Sequence, residues 1–346
     1  MCIRDSGRPY RVMVLLVLVT AVASALLDNV TTVLLMAPVT LSVCRQLGVP
    51  VAPYLIAEAL ASNIGGTATL VGDPPNIIVA SRSGLTYVDF LVHVAPLVVV
   101  LLAVFLGLAR WLFRSAFVYH PDKAAAVREL SATDAIRDRR LLLVSMIVLT
   151  LVTAAFVLHT VLHLEPSVIA LIGGLTLLAW SRIDADVVAA EVEWHSLVFF
   201  AGLFVMVGAL VRTGAIEKLA AAATEATDGR LLLSSMGLLW LSAVFSAIVD
   251  NIPYVATMSP VVDGMVEANG GESANVLWWS LVLGADLGGN ATAIGASANV
   301  VTLGIAERAG HPISFWEFTR YGLVVAVVTI AVAMPYLWLR YFVLAG

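Results

Sequence analysis

Charge is what this chain has least of. Asp, Glu, Lys and Arg make up 12% of its 346 residues, about half the share of a soluble domain. That scarcity excludes an ordinary soluble enzyme, and the apolar content equally excludes a disordered chain. Basic excess is absent too. With 19 Lys and Arg against 24 Asp and Glu the formal charge is −5, so no basic stripe is available to bind nucleic acid. Cysteine is nearly missing: Cys2 and Cys44 cannot build a disulfide framework or a multi-thiolate metal site. The opening MCIRDSGRPYR has no apolar signal core.

Apolar residues fill the space that charge leaves. They form 60% of the chain, with a mean hydropathy of +0.97. A membrane helix needs about 20 of them in sequence. Long apolar runs stand at 12–27, 95–113, 141–162, 166–180, 195–211, 231–249 and 321–345. Shorter runs at 30–44, 51–80, 252–266 and 274–305 are rich in Gly, Pro, Asn and Thr. Such residues are tolerated at membrane depth only where backbone is buried in protein or lines a cavity. The expected fold is an all-α polytopic membrane protein whose interrupted segments carry the chemistry.

The one long polar connection, 114–140, fixes an orientation. With it in the cytoplasm, and with 12–44 and 230–268 as re-entrant hairpins, only Arg82, Arg212, Lys218, Arg230 and Arg340 fall outside. The other basic residues fall inside, as the positive-inside rule asks. The expectation is a multi-pass protein of the plasma (inner) membrane.

An internal repeat is the strongest signal. ALLDNVTTVLLMAPVT (25–40) matches AIVDNIPYVATMSPVV (247–262) at an offset of 222. GGTATLVGDPPNIIV (65–79) then matches GGNATAIGASANVVT (288–302) at 223. Duplicated halves with Gly- and Pro-interrupted segments in corresponding places point to a secondary transporter, with its site between broken helices. Repeat 1 is read as 12–113 (hairpin 12–44, broken helix 51–80, span 95–113). Repeat 2 is 141–346 (scaffold spans 141–212, hairpin 230–268, broken helix 274–308, last span 319–345). On the sided count the two hairpins enter from opposite faces, an inverted repeat. The second half carries three spans before its Asp-Asn pair and the first carries none. By that comparison the chain is expected to lack about 82 residues, roughly three scaffold helices, with 1–11 a non-native-looking or truncated start.

Four polar elements carry the candidate site. The first hairpin tip offers Asp28, Asn29, Thr31 and Thr32, and its counterpart offers Asp250, Asn251 and Pro253. The first broken helix offers Asn63, Gly65, Gly66, Thr67 and Thr69, then Asp73 and Asn76. The second offers Asp286, Gly288, Gly289, Asn290 and Thr292, then Ser297 and Asn299. Unwound carbonyls and hydroxyls suit a small hard cation, and half-helix N-termini suit an anion. Intramembrane carboxylates are costly and usually functional, and no Lys or Arg accompanies them in these motifs. Two readings of Asp28 and Asp250 stand side by side: helix N-caps alone, or caps that also trade a proton for a cation. Glu58 has Leu281 at its offset and reads as structural. His159 and His163 read as a solvated pair, and Trp111, Trp194, Trp338 and the pair Trp278-Trp279 as interfacial belts.

At these motifs a family resemblance becomes plain. ALLDNVTTVLLMAPVT followed by ASNIGGTATLVGDPPNIIVAS resembles the arsenite-permease and sodium/proton-antiporter (ArsB/NhaD) group of the ion transporter superfamily. DNVTT, GDPPN, DNIP and LGGNATAIGASANV are most similar to the melanosomal P protein and its prokaryotic relatives, a citrate-transporter-like domain, over essentially 12–346. The resemblance implies an elevator mechanism, with two hairpins and two broken helices sliding against a scaffold that forms a homodimer when full length. It implies sodium sites between hairpin tip and unwound helix, centred on Asn29/Gly66 (with Asp28, Thr32, Gly65 and Thr67) and on Asn251/Gly289 (with Asp250, Gly288 and Asn290). It implies no cofactor beyond a coupling Na+ or H+, and a small inorganic ion or small anion as cargo. Divalent-anion/sodium symporters carry Ser at the tips where this chain has Asp28 and Asp250, and Ile252-Pro253 removes the second Thr. Those departures favour Na+/H+ antiport or arsenite/anion export, with a sodium-coupled di/tricarboxylate symporter as the alternative. An intramembrane aspartyl protease, suggested by Gly72-Asp73 and Asp28, lacks its Gly-x-Gly-Asp because Leu70 stands in the way. A channel on the same fold would be told apart by uncoupled flux.

Overall fold

The computed structural model describes residues 9–118, 138–181, 183–192, 194–270 and 272–344. Residues 1–8 of the expected non-native start, and 119–137 of the expected cytoplasmic linker, lie outside the described residues. Among the described residues every regular element is helical. In chain order the main helices are α1 (Pro9–Leu26), α2 (Asn29–Leu47), α3 (Ala52–Gly66), α4 (Pro74–Ser83) and α5 (Ala95–Leu112). After the linker come α6 (Arg139–Val157), α7 (Pro166–Ser181), α8 (Trp194–Arg212) and α9 (Ala215–Ala226). The last group is α10 (Leu231–Ile248), α11 (Asn251–Asn269), α12 (Val276–Gly289), α13 (Ser297–Arg308) and α14 (Phe315–Trp338). Among the described residues six helices are long and apolar enough to span a membrane, or up to seven if α8 and α9, bent by 72°, form one span. This is a polytopic membrane protein.

Two helices form its axis. All 14 residues of α12 are buried, and α3 is buried from Tyr54 to Gly66. A helix buried all round belongs in the centre of a bundle, and runs of Ala, Gly and Ser let neighbouring backbones close on it. The α1–α2 hairpin packs on α3, and the α10–α11 hairpin packs on α12. The half-helices after each break then cross over. α4 lies against α11, and α13 lies against α2 and α3. Helices α6 to α8 leave Leu143, Leu171 and Val198 exposed, a surface suited to lipid.

Two sequence expectations need correction. The apolar runs 12–27 and 30–44 give hairpin arms of about fifteen residues, but α1 and α2 have 18 and 19. Each helix continues past its apolar run, α1 back to Pro9 and α2 on through Arg45 and Gln46 to Leu47. The second correction concerns Trp278 and Trp279, each only 1% exposed. They are core, not an interfacial belt. Trp279 packs edge-on to Phe90 and flat on the His93 ring, both at 5.1 Å between centroids. Trp111, Trp194 and Trp338 are exposed, as expected.

Candidate functional site

Each hairpin turns at an aspartate because a helix start leaves backbone N–H groups without partners. The Asp28 carboxylate accepts from Val30 N at 2.8 Å and from Thr31 N, and Thr31 Oγ1 also donates to it. Asp250 accepts from Ile252 N at 3.0 Å and from Ser297 Oγ at 2.7 Å. Pro253 lies in the first turn of α11, where a missing N–H costs nothing. Both aspartates are therefore N-caps in fact. Replacing either by Ala is expected to cost about 1 kcal/mol, while Asn, which still caps, costs far less. Melting curves of Asp28→Ala and Asp28→Asn in detergent check this, and equal losses would remove the capping account.

The residues after the caps do something else. Asn29 donates to Asp73 Oδ2 at 2.8 Å and to Asn63 Oδ1 at 3.2 Å. From the other hairpin, Asn251 donates to Asp73 Oδ1 at 3.3 Å. Asp73 opens α4 yet makes no capping bond to it. Its carboxylate, fully buried, is held between the two tips. Asn63 reaches across in turn, donating to Asn290 Oδ1 and Asn299 Oδ1, both at 3.0 Å.

The breaks themselves are built twice over. Thr69 Oγ1 donates to Ala25 O at 2.7 Å, and Thr292 Oγ1 donates to Ala247 O at 2.6 Å. These bonds satisfy carbonyls left free at the ends of α1 and α10. Asn76 Nδ2 ties back to Gly66 O and Thr69 O, and Asn299 Nδ2 ties back to Gly289 O and Thr292 O. Ser24 Oγ donates to Ser62 O at 2.7 Å, and Ser246 Oγ donates to Ala285 O at 2.6 Å. Each bond has its counterpart 222 or 223 residues on. The glycines allow the close approach: a Cβ on Gly288 would stand 2.5 Å from Ala243 O, and one on Gly65 equally close to the Cα of Ala21.

Of the predicted residues, Asn29, Asn63, Asp73, Asn251, Asn290 and Asn299 meet in one buried network. Asp286 is near Asp73, as are Asp28 and Asp250. Neither of the ion pairs found among the described residues involves these four carboxylates. Thr31 is exposed beside Asp28, and Thr32 is buried with an unpartnered hydroxyl. The pairs Asn29/Gly66 and Asn251/Gly289 do not hydrogen-bond, because both amides are engaged with Asp73. Gly65 and Gly288 serve packing. Ser24 and Ser246 were missed. Extending the repeat one residue upstream would have found them, since they stand at the same offset of 222. Among the described residues no three His, Cys, Asp or Glu side chains group as a metal site.

Among the described residues, six or seven apolar spans surround a buried, acidic, asparagine-rich network, as befits a membrane transporter. The chain belongs to the citrate transporter (CitMHS) family, whose profile matches residues 1–284. It is 57% identical over 341 residues to an uncharacterized transporter of Mycobacterium tuberculosis, covering 98% of this chain and 79% of that protein. A 46 kDa membrane protein of Mycobacterium leprae is 53% identical over 343 residues, covering 99% and 80%. The P protein of Homo sapiens is 32% identical over 415 residues, covering 97% of this chain and 50% of the P protein. The resemblance drawn from the tip and break motifs thus extends over nearly all of this chain.

Proposed function

We propose that this chain is a secondary active transporter of a small inorganic ion, linked to sodium or protons, that works by elevator alternating access. The observation that carries the reading is the convergence of both hairpin tips on Asp73, inside a group of four carboxylates with no basic partner. Such a chamber attracts cations, and a carboxylate among neutral amides can exchange a proton for one. The paired hydrogen bonds support a duplicated unit, whose halves on this reading have inverted topology. Each tip lies level with a helix break, which supports re-entrant hairpins ending within the membrane. The mobile unit on this reading is the two hairpins with α3, α4, α12 and α13. Helices α6 to α8 form the scaffold, their exposed apolar faces meeting lipid and a second copy. The plasma membrane and a cytoplasmic 114–140 belong to the same proposal.

The family name favours a second reading, a di- or tricarboxylate as cargo. Against it, Asp28 and Asp250 occupy the N–H groups at the starts of α2 and α11 with negative charge. The test is flux in proteoliposomes containing this chain, under an imposed sodium or pH gradient, with sodium, lithium, arsenite or citrate as cargo. Uptake of an inorganic ion driven by either gradient supports the first reading, and gradient-driven citrate uptake the second. Flux that follows only the cargo's own gradient at a high unitary rate indicates a channel and overturns both.

A further inference from the structure

The hydrogen bonds that tie the two breaks are matched between the halves, but one buried position on the central helices differs in charge. Asn63 in α3 stands where α12 has Asp286, 223 residues on. Around Asn63 the arrangement is complete: its Nδ2 donates to Asn290 Oδ1 and Asn299 Oδ1, both at 3.0 Å. The positions equivalent to Asn290 and Asn299 are Thr67 and Asn76, and these two side chains face Asp286. Here no donor is left over for the carboxylate. Thr67 donates its one hydroxyl proton to Asn63 O at 2.9 Å. Asn76 has given its Nδ2 protons to Gly66 O and Thr69 O, which fixes its Oδ1 as the free end. Asp286 Oδ1, Asp286 Oδ2 and Asn76 Oδ1 are all buried without a hydrogen-bond partner. Asp286, Asn76 and Thr67 are each 0% exposed.

Buried acceptors turned on one another are strongly unfavourable unless a positive group stands among them. In the first half the two N–H groups of Asn63 fill that role. We propose that a sodium ion fills it in the second, held by the carboxylate of Asp286, Asn76 Oδ1 and Thr67 Oγ1. The ligands are hard oxygens, one charged and two neutral, which matches a monovalent hard cation better than a divalent one. The site is asymmetric: the protein binds this ion once, since the equivalent place is built from Asn63, Asn290 and Asn299. It shares Thr67 with the first sodium site that the resemblance implies, and rests on Asp286 and Asn76, which belong to neither implied site. The inference rests on the reading of this chamber as an ion-binding region.

The test is thermal melting of the purified chain in detergent at fixed pH and ionic strength, with choline replaced stepwise by sodium. Ligand binding to the folded state should raise the parent's Tm by about 3–6 °C at saturation. Asp286→Asn restores the two donors that Asn63 supplies in the first half. It is expected to melt in choline no lower than the parent and to show no sodium response. Thr67→Val keeps the shape but removes one oxygen ligand, and should raise the sodium midpoint roughly tenfold; this variant decides the matter if Asp286→Asn does not fold. A parent Tm that responds to pH but not to sodium overturns the proposal, as does a full sodium response in Asp286→Asn. A sodium response without gradient-driven flux in liposomes would leave this site standing and remove the transport reading. Flux without the sodium response would do the reverse.

Discussion

Replacing Gly288 by alanine is expected to cost this protein most of its folded population. The reason is backbone against backbone. A Cβ on Gly288 would lie 2.5 Å from Ala243 O and 2.8 Å from Ala243 C, and neither atom can move without bending α10. Gly65 is in the same position against Ala21, whose carbonyl carbon would lie 2.7 Å away. Ala21 and Ala243 stand at an offset of 222, so each hairpin seats its first arm on the central helix through the same small-residue contact. Overpacking of flexible side chains costs about 1–3 kcal/mol, and a rigid backbone clash belongs at or above the top of that range. Tm in detergent and the monodisperse fraction after size exclusion both report it. Gly107 and Gly237 lie within helices and have nothing within 4 Å of an added Cβ. Alanine there should stabilise by about 0.5–1 kcal/mol through lower chain entropy and better helix propensity. The two pairs must therefore move in opposite directions. If Gly288→Ala and Gly107→Ala melt alike, close packing is not what these glycines provide.

Much of this frame was legible in the residues before any coordinates. The Asp-Asn pairs, followed by apolar arms, mark hairpin tips, because a carboxylate or amide at a helix start satisfies free N–H groups wherever it occurs. The Gly-Gly and Pro-Pro punctuation marks the breaks for equally local reasons. The crossover was not legible. Periodicity says that a helix has a buried face, but nothing in α4 says that it will lie against α11 from the far half of the chain. For the same reason the role of Asp73 stayed hidden. In sequence it is one carboxylate of five at membrane depth, and only the folded chain brings Asn29 and Asn251 to its two oxygens. Trp278 and Trp279 mislead for a related cause. An aromatic pair flanked by polar residues looks interfacial, yet α12 is enclosed on all sides and those rings fill its first turn. Asn63 and Asp286 are the reverse case. The offset aligned them from the start, and their difference acquired meaning only when the partners of Asn63 were seen.

Asp73→Asn should abolish gradient-driven flux while leaving the fold nearly intact, and Asp73→Ala should damage both. The contrast follows from what holds the carboxylate. Asn29 and Asn251 each donate to one of its oxygens, from opposite hairpins and over 44 and 178 positions of sequence. Asparagine keeps the shape and one accepting oxygen, and a rotated amide on either neighbour can receive its new N–H groups. The cost is about one hydrogen bond, roughly 1 kcal/mol. Alanine strands two buried donors, at about 1–3 kcal/mol each, and unties the tips from each other. Flux depends on something else. Asp73 is the carboxylate that both hairpins touch, so its charge is the one that a bound ion and both halves of the carrier experience together. Removing the charge alone leaves the tips joined but without a reason to respond to an ion. In liposomes, Asp73→Asn should therefore fall to the level of protein-free vesicles under a sodium or pH gradient. Asp28→Asn and Asp250→Asn, which keep their caps, test whether the flanking charges add to it. An Asp73→Asn variant that exchanges ions as fast as the parent would show that the two tips meet there only to be held together.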